Sequence, residues 1–251
     1  MTSLAVTTVV TTVVLAGAAL GAWARTRLPP HHLDEATRDV VNVGVGFLST
    51  LAALVLGLIV ASAKTAFDTR ADEIHSVAAK VALLAGDLRD LGPAGSVALA
   101  ELREGVTERL DALWGPEGAR PVSPGRWPHT IEGIRASLRA IVPADDAQRE
   151  ARTKALRLLD ELEQIRSVAA VYAGSAVTAP LLVLLVAWMF VIAVAINVFA
   201  PRNGTVVTFN VLCALSSASA IFLILEMDQP FGGLIHVSDA PLRAALAQLA
   251  R

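Results

Sequence analysis

The sequence has a single cysteine, Cys213, so it can form no disulfide within the chain. Charge is scarce as well. Only 18% of residues are Asp, Glu, Lys or Arg, whereas a soluble domain carries about a quarter. A net charge of -2 gives nothing to attract nucleic acid. No period-two alternation lasts long enough to make a strand, and no internal repeat is found. P-loop, GxSxG and HExxH patterns are missing. The imidazoles and carboxylates of "HHLDE", His31–Glu35, match no standard metal spacing and read as a polar interfacial loop. An enzyme is disfavoured, and no catalytic residue, metal ligand or cofactor is assigned.

What the chain has in excess is apolar sequence: 54% of residues, with a mean hydropathy of +0.57. Four stretches hold no Asp, Glu, Lys or Arg: Thr2–Ala24, Val40–Ala63, Ser167–Pro201 and Asn203–Leu225. Each has about 20 or more residues, enough to cross roughly 30 Å of hydrocarbon as a helix. The spacing predicts four transmembrane helices, Leu4–Trp23, Val40–Ala63, Pro180–Phe199 and Val206–Leu225. The first lacks the positive n-region of a signal peptide and is read as a span. Residues 64–175 carry 15 of the 21 Lys and Arg and 17 of the 23 Asp and Glu, so this insert faces water.

The insert reads as helices. Apolar positions from Phe67 through Ile74, Val77, Val81, Leu84, Leu88 and Leu91 keep a helical period. No breaker separates them from the second span, so one helix is expected from Val40 to Leu91, stopped by Gly92-Pro93. A second runs from Ala94 to Trp114. Gly115–His129, rich in proline and glycine, is expected as a loop, and Ile131–Ile141 as a short helix. Asp145 with Gln148 three residues on is a capping-box pattern. It opens a helix whose apolar stripe is Leu158, Leu162, Ile165, Ala169 and Tyr172, with a break or kink near Pro180. Pro201–Gly204 is short enough to force spans three and four into an antiparallel hairpin. The expected fold is an all-α membrane protein, one domain over residues 1–251: hairpin, helical insert, hairpin, then a C-terminal segment, 226–251, with an amphipathic helix at Pro241–Ala250.

Two readings of the second span stay open. Asn42, Gly46, Ser49, Ala53, Gly57, Val60 and Lys64 recur at spacings of three and four and form a small, polar face. Phe47, Leu51, Leu54 and Leu58 form a bulky one. Small faces let helices pack closely in lipid; they also leave room for water or an ion. Lys64 would snorkel to the interface or attract anions at a pore mouth. In the fourth span Asn210, Cys213, Ser216, Ser217 and Ser219 fit interhelical packing. The hydroxyls of Thr7, Thr8, Thr11 and Thr12 can bond back to their own helix. The acids of "LEMDQPFGG", Glu226 and Asp228, are expected to stay hydrated, since burying charge at a membrane is costly. Pro230, Gly232 and Gly233 then turn the chain. The positive-inside rule, applied to Arg25, Arg27, Arg38 and Arg202, puts the short loops in the cytoplasm and the insert outside.

Several segments together, "LPPHHLDEATRDVV", "TLAALVLGLIVASAKTAFD", "APRNGTVV" and "CALSSASAIFLILEMDQPFGGLIHVSDAPLRAAL", resemble the bacterial bestrophin-like domain family over roughly Leu28 to Leu249. "EMDQPFGG" is also similar to the acidic-x-Pro-Phe-Gly stretch after the last span of bestrophin channels. The resemblance implies an all-helical, pentameric homo-oligomer in the bacterial inner membrane, multi-pass, conducting small ions, mainly anions. Its pore would be lined by the second span, hence by Asn42, Gly46, Ser49, Ala53, Gly57, Val60 and Lys64. The post-span motif is Glu226, Asp228, Pro230, Phe231 and Gly232. Calcium activation is not implied, because "GLIHVSDAP" stands where the acidic run of calcium-activated bestrophins would be. In bestrophins the insert and termini are cytoplasmic, opposite to the charge rule above. The alternative function is a non-conducting scaffold or sensor whose insert binds a partner.

Overall fold

A computed structural model describes residues 3–115, 127–171 and 179–250. They form eight α-helices: α1 (Ser3–Arg27), α2 (Glu35–Asp90), α3 (Ser96–Trp114), α4 (Trp127–Ala140), α5 (Asp146–Val171), α6 (Ala179–Phe199), α7 (Gly204–Met227) and α8 (Ala240–Leu249). Four of them, α1, α2, α6 and α7, are long and apolar enough to cross a membrane, at the places the uncharged stretches indicate. The chain forms two compact units, Met1–Ala66 with Ser175–Asp228 and Phe67–Gly174 with Gln229–Arg251. The division falls within α2, a helix of 56 residues with no proline and no interruption.

In the first unit, α1 packs against both α6 and α7. Its buried stripe, Val10, Val14, Gly17, Ala18 and Gly21, has the three-and-four spacing of one helix face. The contact with α6 is backbone to backbone. A Cβ added at Gly17 would lie 2.9 Å from the Phe190 carbonyl oxygen, and one at Gly21 would lie 2.9 Å from Asn197 Cβ and closer still to the Val194 carbonyl. "GAALG", Gly17–Gly21, is a GxxxG pattern, the sequence signal for this approach. At one end of the pair, Arg202 donates to the Ala22 carbonyl at 2.8 Å and Arg25 donates to the Ala200 carbonyl, so each basic side chain caps a carbonyl of the other segment. The expected pairing of α1 with α2 is not the principal contact: α1 takes α6 and α7 instead. In lipid an apolar front gives a span no direction in which to pack, so small residues that allow close approach decide partners, not loop length.

Between α6 and α7 the amides of Asn197 and Asn210 bond reciprocally, at 3.1 and 2.7 Å, and Asn197 also donates to the Ala193 carbonyl. Asn197 is 4% exposed, and each polar group finds the partner that lipid would deny it. Asn203 opens α7 by accepting the Val206 amide at 2.9 Å. In α1 the hydroxyls of Thr7, Thr8, Thr11 and Thr12 each donate to the carbonyl four residues back, as their position indicates.

The second unit has an apolar core of its own. It takes Ile74, Val81, Leu84, Leu88 and Leu91 from α2 and its end, Leu102, Val106, Leu110 and Leu113 from α3, Ile134 and Leu138 from α4, and Leu242 and Leu249 from α8. The stripe of α5 keeps the expected Leu162 but centres on Leu159 rather than Leu158. Ala151, Ala155, Leu159 and Leu162 are buried, while Leu158 is only partly so. Leu156, Leu158, Leu159 and Leu162 crowd that stretch, and periodicity alone does not choose among them. Asp145 caps α5 by accepting the Gln148 amide at 2.7 Å, while the Gln148 side chain accepts the Ala144 amide at 2.9 Å. Trp127–His129, expected in a loop, are helical, because proline in a first turn forfeits no intrahelical bond. Residues 116–126 of that loop and Tyr172 lie outside the described residues. Pro180 likewise sits in the first turn of α6.

Candidate functional site

Asp34 starts the segment that carries the candidate site. It caps α2 by accepting the Thr37 amide at 2.9 Å, and hydrogen bonding from Thr37, first from its side chain and then from its amide, holds the Asp34 carboxyl below the usual range. This gives the acid of "HHLDE" a structural role, and the neighbouring His31 and His32 rings lie 4.2 Å apart. Along the apolar part of α2, Ala52, Ile59 and Ala63 are buried, and Val41, Val45, Leu48 and Leu56 are half-buried on the same side. At 3.6 residues per turn, the small polar face lies about 100° round the helix from that stripe.

That face is open in the single chain. Asn42, Gly46, Ala53, Gly57 and Lys64 are exposed, and Ser49 and Val60 are half-buried. A Cβ placed on Gly46 or Gly57 would meet nothing within 4 Å. Among the described residues, close packing against another helix therefore does not explain Asn42, Gly46, Ala53 or Gly57. The contrast with Gly17 and Gly21 is direct: those glycines touch a neighbouring backbone and the α2 glycines do not. On α7, Cys213, Ser216 and Ser219 are exposed as well, so they too are not used against α2. The bulky side of α2 is also uncovered, with Phe47, Leu54 and Leu58 exposed at 67%, 70% and 63%. One uncovered side suits lipid and the other does not.

The post-span motif divides between the two units. Glu226 and Asp228 belong to the first. Glu226 is not hydrated as expected: it is 4% exposed and accepts a hydrogen bond of 2.5 Å from the Ser3 hydroxyl. A charge-assisted bond from a group 223 residues away offsets part of the cost of burial. The Asp228 amide closes the last turn of α7 on the Ile224 carbonyl at 3.1 Å.

Pro230, Phe231 and Gly232 belong to the second unit. The Gly232 amide donates to the Gln229 carbonyl at 3.2 Å, and the Val237 amide donates to the Pro230 carbonyl at 2.7 Å. Gly233 has a φ of 92°, which requires glycine there. The Phe231 ring meets Trp114 edge-on, centroids 5.4 Å apart, and the Trp114 indole donates to the Val237 carbonyl at 2.8 Å. The motif is thus a turn pinned to α3. Sequence reading found the turn but not its anchor, since nothing local links Trp114 to Phe231. Among the described residues no group of three or more His, Cys, Asp or Glu is placed to hold a metal ion.

The four long apolar helices make this a membrane protein. No curated protein and no solved structure matches the chain. A family match does exist, and it takes in α2 with its open face, the whole helical insert, α6, α7 and the pinned turn. It spans residues 12–242, and the chain belongs to the Bestrophin-like domain family.

Proposed function

We propose that the chain is a pore-forming subunit of an ion channel that passes small anions. Copies of it surround an axis, in a pentamer as the likeness to bestrophins implies, and α2 presents Asn42, Gly46, Ser49, Ala53, Gly57 and Val60 to the ions. Lys64 ends that face and favours anions. One observation carries the reading. A membrane helix keeps its small, polar side uncovered, with open space at Gly46 and Gly57, although glycines that serve packing in this chain are in tight contact. Hydrocarbon is a poor neighbour for Asn42 and Ser49; water in a lumen is a good one. On this reading the protein is a conduit without an enzymatic reaction, seated in the inner membrane of a bacterium.

The alternative is a non-conducting scaffold in which the same face packs against a second copy. The separate apolar core of the water-facing unit favours it, since that unit has the means to hold a shape and bind a partner. Purified protein in planar bilayers separates the two. The channel reading expects discrete current steps, and expects Asn42→Leu or Ser49→Leu to block them while the oligomer persists on size-exclusion chromatography. Loss of the oligomer in those variants, with wild-type bilayers silent, establishes the scaffold.

A further inference from the structure

In the membrane unit α1 and α6 run parallel, for Gly17 faces Phe190 and Ala193, and Gly21 faces Val194 and Asn197. Their C-terminal ends therefore lie side by side. Arg25 stands in the last turn of α1, and Arg202 in the turn between α6 and α7. The two side chains cross there. Arg202 donates to the Ala22 carbonyl at 2.8 Å, one helical turn before Arg25, and Arg25 donates to the Ala200 carbonyl, just before Arg202. Each guanidinium is thus held beside the stem of the other.

Neither is paired with a carboxylate among the described residues. The acid nearest to Arg25 in sequence, Asp34, is taken up in capping α2. A bond to a carbonyl uses one of a guanidinium's five N–H groups, so most of both forks stay open. Helix ends do not balance the two charges. The C-termini of α1 and α6 each bring about half a negative elementary charge, and the N-terminus of α7 about half a positive one, so more than one positive charge is left over.

The place in the bilayer narrows the counter-ion. Both arginines border helices long and apolar enough to cross a membrane, which sets their heads at the level of the lipid headgroups. Trp23, next to Ala22, is 54% exposed, and the Arg27 guanidinium lies 5.3 Å over its ring. An uncovered indole with a basic neighbour suits that level. The anion abundant there is phosphate on a lipid, whose oxygens match guanidinium forks, and basic pockets between spans hold such headgroups.

We propose that Arg25 and Arg202 form a binding site for the phosphate of an anionic phospholipid, at the adjoining ends of α1 and α6. The site is separate from the conducting face of α2 and stands whether or not the protein conducts.

The test uses the full chain in a non-ionic detergent and follows added lipid by native mass spectrometry. Wild type should retain phosphatidylglycerol saturably, at least about tenfold more tightly than zwitterionic phosphatidylcholine. Arg25→Gln with Arg202→Gln should abolish that preference. Glutamine still carries an N–H for each carbonyl, so the helix ends stay capped and the lipid-free melting temperature should change little. Arg202→Lys, which keeps the charge but not the fork, should fall between wild type and Arg202→Gln. Arg149→Gln, an exposed residue whose partner is Asp146, is the control and should bind as wild type.

A second arm adds inorganic phosphate at constant ionic strength. It should not displace phosphatidylglycerol, because it has no acyl chains to seat in the detergent shell. Arginine-dependent binding of inorganic phosphate with no preference among lipids would assign the site to a soluble anion and overturn the proposal. Equal retention of the two lipids by wild type would overturn it as well. So would a double variant that melts early without lipid yet keeps the preference, since the arginines would then be caps alone.

Discussion

Replacing Gly21 with alanine adds one methyl group at the closest approach in the membrane unit. That methyl would sit 2.9 Å from Asn197 Cβ and nearer to the Val194 carbonyl oxygen, where carbon contacts settle at about 3.5–4 Å. The obstacle on α6 is backbone and cannot rotate away. The helices must part locally by about 0.5–1 Å, and atoms along the seam lose a quarter to a half of their mutual attraction. Overpacking of this kind costs about 1–3 kcal/mol. Because the obstacle is fixed backbone, Gly21 falls in the upper part of that range, about 2–3 kcal/mol; alanine returns about 1 kcal/mol through its better helix propensity, leaving a net loss of about 1–2 kcal/mol. For a chain of this size that lowers the unfolding midpoint by about 2–8 °C, read by tryptophan fluorescence in detergent. Gly57→Ala is the matched control: nothing lies within 4 Å of its added methyl, so the isolated chain should keep or slightly gain stability. If Gly21→Ala is as stable as wild type, or if the two alanines behave alike, the backbone contact between α1 and α6 is wrong.

Asn210→Leu should cost about 0.6–2 kcal/mol by leaving the side-chain oxygen of the buried Asn197 without its donor. Because the Gly21 methyl pushes on Asn197 itself, the double variant with Gly21→Ala should depart from additivity in the same melts. Trp114→Phe keeps a ring against Phe231 but leaves the Val237 carbonyl without its indole donor. The expected loss is about 1 kcal/mol, with faster proteolysis after Gln229 as the local readout. Burial lifts the Asp87 carboxyl above its usual value, with Lys154 opposing and Asp90 and Glu150 reinforcing the rise. A raised folded value means that the folded state holds the proton more tightly, so the ionised form weakens the fold. Asp87→Asn should therefore stabilise the protein at neutral pH, with the advantage fading as the pH falls through the carboxylate range towards about pH 4. A constant advantage across that window would rule out the titration of Asp87 as its cause.

The spans were readable because lipid tolerates so few sequences. A run of about 20 uncharged residues has one common use. The continuity of α2 was readable because no glycine or proline pair interrupts it before Gly92. Asp145 announced its helix by type and position. Pairing was harder. In water a polar back and an apolar front tell a helix where to turn, and a lipid-facing span has no such contrast. The Gly17–Gly21 spacing held the information and is plain once the contact with α6 is known. Glu226 was misplaced for a different reason. Its partner, Ser3, is at the far end of the chain, and no local pattern joins them. On the candidate site, sequence picked out a small face on α2 and favoured packing over conduction. Among the described residues, Asn42, Gly46, Ala53 and Gly57 stay exposed.

Water contact along α2 is the central claim, and substituted-cysteine labelling measures it. Cys213 is the sole native thiol, and Cys213→Ser clears the background. Single cysteines then go in at Asn42, Gly46, Ala53 and Gly57 on one side, and at Phe47, Leu54 and Leu58 on the other, in the assembled oligomer within liposomes. A charged, membrane-impermeant thiol reagent should modify the first set and reduce ion flux as it does so, while the second set stays unlabelled in lipid. Labelling of the Phe47, Leu54 and Leu58 positions with the small face protected would contradict the account and place that face in a dry contact between subunits.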